Sequence, residues 1–412
     1  MNDQNKQILA LKGWIELASG KDPQAKKAYK YFDEAMQIAS NCEMDIILGM
    51  CQCLMLRHNF KKALELINQL IVAYSDLLPG FEEKMKLLLA LKDWEQVTDT
   101  ASRALDVDQF CIEALCYLTL YNLCRVGDYN EAHNYLSKLL NSLDMFEPSS
   151  KSLYYNIARL ISRVCGRNEL ILQQTHTLAQ RAIEEESCEA DYMRELGYQL
   201  VLRGKIKEAL ECYKHTIKLD ETNLPAVTGI IECQLIQNKL DDAAQQLEFL
   251  SEIQMSIGKT SELYYLSAVL AKKRNKGEEN IVVLLNEAIE KHFSTLKNYY
   301  LGVDYYIMLN PDFLILIVKD YLNYAPQQPL QHGQAMDPIL RKCQQVLDPL
   351  IKAAPGLIEG IYLMGKVKFL SGDFESAQMT LQHCLEQDQA LSDAHILMAQ
   401  VNANTSLIIS GS

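Results

Sequence analysis

Apolar residues gather on one helical face in segment after segment of this chain, and small residues punctuate that face at regular intervals. The pattern is clearest between Met193 and Leu219. Met193, Leu196, Gly197 and Leu200 stand at i, i+3, i+4 and i+7, the spacing of one side of an α-helix. Gly204 interrupts the run, and a second helix follows with Ala209, Tyr213 and Thr216 along one side. Small side chains at Gly197 and Ala209 let two helix axes approach, and Tyr213 fills the space beside them. No strand-type alternation or hairpin signal competes with this pattern.

The small position of the second helix recurs as Ala28, Ala63, Val97, Ala132, Thr175, Ala209, Ala243, Ile281 and Ala377, at spacings of 35, 34, 35, 43, 34, 34, 38 and 96 residues. A period of about 34 residues, with a glycine or alanine where paired helices cross, is the tetratricopeptide arrangement. The predicted fold is therefore all-α: a tetratricopeptide α-solenoid, wound as a right-handed superhelix of antiparallel helix pairs. The turn before the second helix recurs as His58-Asn59-Phe60, Gly127-Asp128-Tyr129, Gly204-Lys205-Ile206 and Gly372-Asp373-Phe374. Gly or Asn there suits the left-handed conformation that ends a helix.

Two spacings demand extra chain. The 43-residue step predicts a longer inter-helix loop around Cys165-Gly166-Arg167. The 96-residue step leaves room for up to two irregular pairs. There Pro311 opens a helix through Phe313 and Tyr321, Pro326 to Gly333 read as a loop, and a further helix follows Pro338 through Leu350. The organisation read from these breaks is an array of about eight repeats over 1–292, an irregular helical insertion over 293–355, a repeat plus a single capping helix over 356–400, and a divergent flexible tail over 401–412.

Composition narrows the function. Forty basic residues stand against 53 acidic ones, a net charge of -13, so a phosphate backbone is repelled and nucleic acid is not an expected partner. The opening MNDQNKQIL has no apolar signal core, and the most apolar stretch, Phe313 to Val318, is too short to span a bilayer. These features predict a soluble, intracellular protein with no membrane insertion. The 12 cysteines include no CxxC pair and lie within apolar periodic segments, which predicts reduced, buried thiols and no metal.

Candidate chemistry is sparse. Ser256-Ile257-Gly258-Lys259-Thr260 ends like a phosphate-binding loop, but Ile253 stands where the motif needs its first Gly, and a helix precedes it where a strand is required. A helix-ending Gly258 accounts for the run better than a nucleotide hydrolase using Lys259 and Thr260. Glu184-Glu185-Glu186 reads as a solvated corner. No nucleophile motif joins the eight histidines. No catalytic residue, cofactor or small-molecule substrate is expected.

What remains is a surface. In arrays of this type the first helix of each pair lines the concave side. Its outward positions hold Tyr117, Tyr121, Tyr155, Tyr198, Tyr264 and Tyr362, with Arg159, Arg194 and Lys366 among them. Tyr and Arg favour interfaces; packing between neighbouring first helices is the alternative, and both stand open. The paired groove positions Ala10/Trp14, Leu48/Gln52, Glu82/Lys86, Tyr117/Tyr121, Tyr155/Arg159, Arg194/Tyr198 and Thr228/Glu232 include no Lys/Asn pair. Capture of a partner's C-terminal carboxylate is thus unsupported.

Particular runs go beyond the generic motif: CGRNELILQQTHTL, ELGYQLVLRGKIKEAL, ECQLIQNKLDDAAQQLEFLSEIQMSIGK, LNPDFLILIVKDYL and LQHCLEQDQALSDAHILMAQV. They resemble the tetratricopeptide repeat protein 21 family, the large tetratricopeptide subunit of intraflagellar transport complex A. The resemblance runs from about Leu11 to Val401 and includes the irregular insertion; the final NANTSLIISGS departs from it, as a truncated or alternatively terminated form would. It implies a non-catalytic scaffold in retrograde ciliary transport and in ciliary entry of membrane cargo. It also implies complex A subunits with WD40 propellers and helical repeats as partners, and a place in the cytoplasm, the cilium and the ciliary base. A cytosolic adaptor holding a peptide in its concave groove is the alternative.

Overall fold

The computed structural model describes residues 2–38, 43–183, 189–331 and 334–411. Among these residues every regular element is a helix. The chain divides into two compact units, residues 1–121 with Tyr300–Gly302 and residues 122–299 with 303–412. Each stacks helix pairs in the manner of an α-solenoid.

The first unit holds α1 (Asn2–Ser19), α2 (Lys26–Ile38), α3 (Met44–Leu56), α4 (Phe60–Ala73), α5 (Leu78–Ala90), α6 (Trp94–Val107) and α7 (Ile112–Tyr121). The second opens with a π-helix, Asn122–Val126, and continues through α8 (Tyr129–Phe146), α9 (Lys151–Val164), α10 (Glu169–Ile183), α11 (Ala190–Leu202) and α12 (Ile206–Leu219). There follow α13 (Leu224–Ile236), α14 (Leu240–Ile257), α15 (Ser261–Lys273), α16 (Glu278–Leu296), α17 (Val303–Leu309) and α18 (Pro311–Leu322). Last come α19 (Pro338–Ala353), α20 (Ile358–Leu370), α21 (Phe374–Gln387) and α22 (Ser392–Gly411).

The ladder of small residues is the inside of the fold. All nine positions, from Ala28 to Ala377, are buried. After Ala209 and Ala28 the aromatic residue four places on is wedged between glycines of two first helices. A Cβ on Gly197 would lie 2.9 Å from the Tyr213 ring, and one on Gly229 2.4 Å. Gly13 and Gly49 clasp Phe32 in the same way, at 2.7 and 2.3 Å. A packed interior has no slack for another methyl group, so these glycines set how closely the pairs stack.

The turns between paired helices follow one plan. His58 N bonds Met55 O at 2.9 Å and Asn59 N bonds Leu54 O at 2.9 Å; Gly204 and Lys205 repeat the scheme on Val201 and Leu200, as do Gly372 and Asp373 on Phe369 and Lys368. These are the paired closing bonds of a Schellman motif. The left-handed residue at the first turn is His58 (φ 56), not the neighbouring asparagine, and Lys92 (φ 66) and Asn238 (φ 58) take the same role elsewhere. The two closing bonds, more than residue type, fix the conformation. Aspartates then cap the second helices: Asp93 accepts from Gln96 N and Asp373 from Ser376 N, both at 3.1 Å, each worth about 1 kcal/mol.

Three expectations change. The 43-residue step does not come from a longer loop at Cys165-Gly166-Arg167. That turn is short, and the extra chain is spread over a longer α8, 18 residues where α12 has 14, and over α10, where Thr175 stands six residues after the first residue while Ala243 stands three after that of α14. The stretch 293–355 is only partly irregular. α18 and α19 pack as a pair, and Cys343, Leu347 and Leu350 are buried at the spacing of Ala209, Tyr213 and Thr216, with Cys343 34 residues before Ala377. The additions are α17 and the chain between α18 and α19, which includes His332 and Gly333 outside the described residues. Finally, α22 does not stop near Val401 but runs to Gly411. No Pro or Gly intervenes to end it, and Asn404 and Thr405 bond back to the Gln400 and Val401 carbonyls at 2.8 and 2.9 Å. The Glu184-Glu185-Glu186 corner lies outside the described residues.

The second unit closes on itself. Gly356 N donates to Cys124 O at 2.7 Å, an approach that only glycine permits, since a Cβ at Gly356 would stand 2.6 Å from Gly127 N. α18 packs against α9. There Arg167 grips Asp312 with two bonds, Nε to Oδ1 at 2.6 Å and Nη2 to Oδ2 at 2.9 Å.

Candidate functional site

Because the pairs of the second unit stack with their first helices on one side, α9, α11, α13 and α15 converge on a cavity of about 440 Å³, and α18 closes it. Tyr198, Tyr213, Tyr265, Leu266, Phe313 and Leu316 give it an apolar wall. Thr228, Glu232, Glu262 and Asp312 bring polar groups to the same space. The volume falls in the range of natural ligand pockets.

Its first support is a buried ion pair. Arg163 Nη2 donates to Glu195 Oε2 at 2.7 Å and Nη1 to Oε1 at 3.1 Å. Ser162 Oγ and Gln199 Nε2 also donate to Glu195 Oε1, at 2.7 and 3.2 Å. Burial alone would raise the Glu195 carboxyl, but Arg163 and these bonds hold it below the usual glutamate value. The Arg163 guanidinium lies 3.6 Å from the centre of the Tyr198 ring, so the pair also fixes one aromatic wall. Tyr198 Oη in turn donates to Asn310 Oδ1 at 3.3 Å. Asn310 has φ 40 and leads into Pro311, the first residue of α18.

Glu232, one helical turn after Thr228 on α13, differs from its neighbours. It makes no hydrogen bond or ion pair among the described residues. Burial pushes its carboxyl up to about 7; Asp312 adds to the rise and Arg167 opposes it.

The residues proposed from sequence distribute unevenly. Arg194 and Tyr198 line the cavity. Tyr155 is buried: its ring lies 4.8 Å from that of Tyr192 on the next first helix, and its hydroxyl accepts from Arg194 Nη2 at 3.4 Å. Tyr117 is also buried. Tyr121 is half-buried with its ring 5.8 Å from Trp94. Arg159, Tyr362 and Lys366 are half-buried outside the cavity, and half-buried Tyr264 has Lys259 over its ring at 5.8 Å. Arg163, Glu232, Tyr265, Asp312 and Phe313 were missed. Glu232 holds one of the paired groove positions, so its place was legible. Asp312 and Phe313 lie in the stretch without repeat register, so no spacing could bring them here.

Other candidate chemistry resolves into structure. Gly258 ends α14 with φ 95, and Thr260 caps α15 by accepting from Leu263 N; Gly258 and Thr260 thus serve helix ends, with Lys259 between them. In the first unit Glu82, Cys111 and Glu113 bring one ligand atom each within 4.8 Å of one another. Burial and the neighbouring Glu113 push Glu82 up to about 7, and burial pushes the Cys111 thiol up to about 11. The ten described cysteines are free. No helix among the described residues is long and apolar enough to cross a membrane.

Comparison with known proteins follows the same division. Residues 1–98 match the family model described as Tetratricopeptide repeat protein 21 N-terminal ARM repeat, and residues 134–406 match that of the Tetratricopeptide repeat protein 21 second ARM domain. The units part at Asn122, between the two matches. The chain is 48% identical over 401 residues to Tetratricopeptide repeat protein 21B of Homo sapiens, covering 97% of this chain and 30% of that protein. It is 38% identical over 397 residues to Tetratricopeptide repeat protein 21A of Mus musculus, covering 96% and 30%. Among solved structures, yeast Tom70 aligns over 99% of this chain and 97% of its own, with 14% identity and a TM-score of 0.39. The chain thus spans about 30% of the length of the curated relatives it matches.

Proposed function

Because the chain belongs to the tetratricopeptide repeat protein 21 family, we propose that it works as a non-catalytic scaffold subunit of the intraflagellar transport complex A type. In this reading it serves retrograde ciliary transport and the ciliary entry of membrane cargo. Its partners are other complex A subunits, WD40 and helical-repeat proteins, and its place is the cytoplasm, the cilium and the ciliary base. The observation that carries the reading is the second unit itself. Residues 134–406 of that unit, including the added α17 and the α18–α19 pair, fall within a single family match, and its first-helix faces together with α18 line one cavity.

The chemistry of that cavity favours holding over turnover. Its strongest charges are spent on each other, Arg163 on Glu195 and Arg167 on Asp312. No histidine or cysteine is among the described residues that line it. Aromatic faces with a few fixed polar groups are what a peptide-binding groove needs. Tyr198 and Arg194 are the proposed contact residues within it; Arg159, Tyr264, Tyr362 and Lys366, half-buried elsewhere in the second unit, and Tyr121, half-buried in the first, are further candidates within their own units, whereas Tyr117 and Tyr155 are buried and fit the packing alternative.

Co-expression tests the reading. The tagged chain and the complex A subunits are produced together and resolved by size exclusion. Co-elution in a defined ratio is expected. Elution of the chain alone, while a full-length family member co-elutes under the same conditions, would refute it.

A further inference from the structure

We propose that the cavity of the second unit selects an extended partner segment that sets a basic side chain against Glu232 and an apolar side chain against the adjoining aromatic wall. This deepens the scaffold reading, on which it rests for the ligand being a protein segment.

Charge accounting across the cavity leads to Glu232. Arg163 is bound to Glu195 by both guanidinium nitrogens. Arg167 gives both of its bonds to Asp312. Arg194 Nη1 lies 2.7 Å from Asp191 Oδ1. Glu262 accepts a bond from Ser261 at 3.0 Å. Glu232 alone among these is half-buried with no partner, although the cavity offers it several charged neighbours. A carboxylate taken out of water without a counter-charge is disfavoured. A guanidinium or ammonium entering the cavity supplies that counter-charge where solvent screening is weak.

The rest of the lining defines what accompanies the cation. Tyr213 and Tyr265 stand beside Glu232 in the wall, with Phe313 and Leu316 across from α18. Faces of this kind take an aromatic or branched aliphatic side chain and suit an arginine stacked flat. At the rim, Pro225 and Ile257 are exposed, Ile257 to 66%. A small cation would leave these rim groups in water, whereas the flanking residues of an extended segment cover them. An acidic segment or a nucleic acid would meet Glu232, Glu262 and Asp312 with like charge.

Random heptapeptides displayed on phage, selected on the full chain, test this directly. The expected pool is enriched in Arg or Lys next to an aromatic or aliphatic residue. The best peptide, made with a fluorescein label, should lose affinity about tenfold or more on Glu232→Gln and keep it on Glu211→Gln, an exposed site on α12. Hydrogen exchange over α13 verifies that Glu232→Gln is folded.

Wild-type protein gives a second readout that needs no variant. Going from about pH 8 to about pH 6 should weaken the peptide about tenfold as Glu232 takes up its proton, its carboxyl standing near 7. The Gln variant should be flat over the same interval. Arg163 on α9, Arg194, Glu195 and Tyr198 on α11, and Tyr213 on α12 also face this space. So do Glu262 and Tyr265 on α15 and Asp312 on α18, with Arg167 behind it. All are common to both proteins, so the difference between the two profiles isolates Glu232.

Failure to select any peptide, a pool without basic residues, or equal binding by Glu232→Gln overturns the proposal. Co-elution with complex A subunits alongside such a result leaves the scaffold reading intact. Basic-peptide binding without co-elution does the reverse.

Discussion

Replacing Arg163 with Met removes one half of the pair that supports the cavity and leaves the other half stranded. Glu195 is 2% exposed, and Met fills most of the vacated volume, so the lost charge dominates over lost packing. Breaking a buried pair by deleting one partner costs about 3–5 kcal/mol. Glu195 keeps its bonds from Ser162 and Gln199, which places the expected cost near the lower end, about 3 kcal/mol. The double substitution Arg163→Met with Glu195→Met removes both charges and should recover most of this loss, since an apolar pair of similar volume is often as stable.

The pH dependence gives the sign. In the wild type the Glu195 carboxyl is held below its ordinary value. Its contribution is therefore present above the unfolded pKa and is lost as pH falls through the folded one. Without Arg163, burial raises the carboxyl instead, so the deficit of the single variant should shrink as pH falls toward about 5. Repeat arrays open locally, so the assay is hydrogen exchange resolved over α9 to α12 in increasing denaturant. A single variant costing less than about 1 kcal/mol, or single and double variants of equal stability, would refute the electrostatic role of the pair.

Other variants test packing and titration. Gly229→Ala gains about 1 kcal/mol of helix propensity but drives a methyl group into a Tyr213 ring already backed by Gly197; net destabilisation of about 1–2 kcal/mol is expected in denaturant melts. Gly360→Ala, whose Cβ would meet Leu350 at an ordinary 3.5 Å, should instead stabilise by about 0.5–1 kcal/mol. Ala209→Glu buries a charge at the crossing and should cost about 3 kcal/mol or more, with exchange rising from α11 to α14, while the exposed Lys207→Glu changes little. The raised Glu232 carboxyl penalises folding increasingly as pH rises from its unfolded value toward about 7. Wild type should therefore lose stability relative to Glu232→Gln between about pH 5 and pH 8, read from melting temperatures across that range.

The repeat core was legible because it obeys a strict spacing. Ala209, Tyr213 and Thr216 must face inward whenever two helices cross at a small residue, and every one of the nine small positions is buried. Where the register slips, the sequence carries less. Cys343 continues the ladder, yet the chain added before it hides the spacing from Ile281. The closure at Gly127 and Gly356 joins residues far apart in the chain, and no local pattern encodes it. For the site, first-helix positions lead to the cavity, and Tyr198 and Arg194 are among the residues that line it. Of the two readings open for the tyrosines, packing holds for Tyr155, which fills the gap to Tyr192; nothing in the residue type of Glu232, on the same kind of position, marks it as unpaired.

The central claim is that the second unit's cavity is where this scaffold holds a partner. Its most direct test is a photo-crosslinking residue placed at Thr228, on the cavity wall, with Lys207 on the exposed outer side as the control position. Both proteins are assembled with the complex A subunits and irradiated, and the adducts are identified by mass spectrometry. The account predicts a crosslink from position 228 to a segment of another subunit that contains a basic residue, and none to that segment from position 207. Assembled complex in which position 228 yields no adduct to another subunit would contradict it.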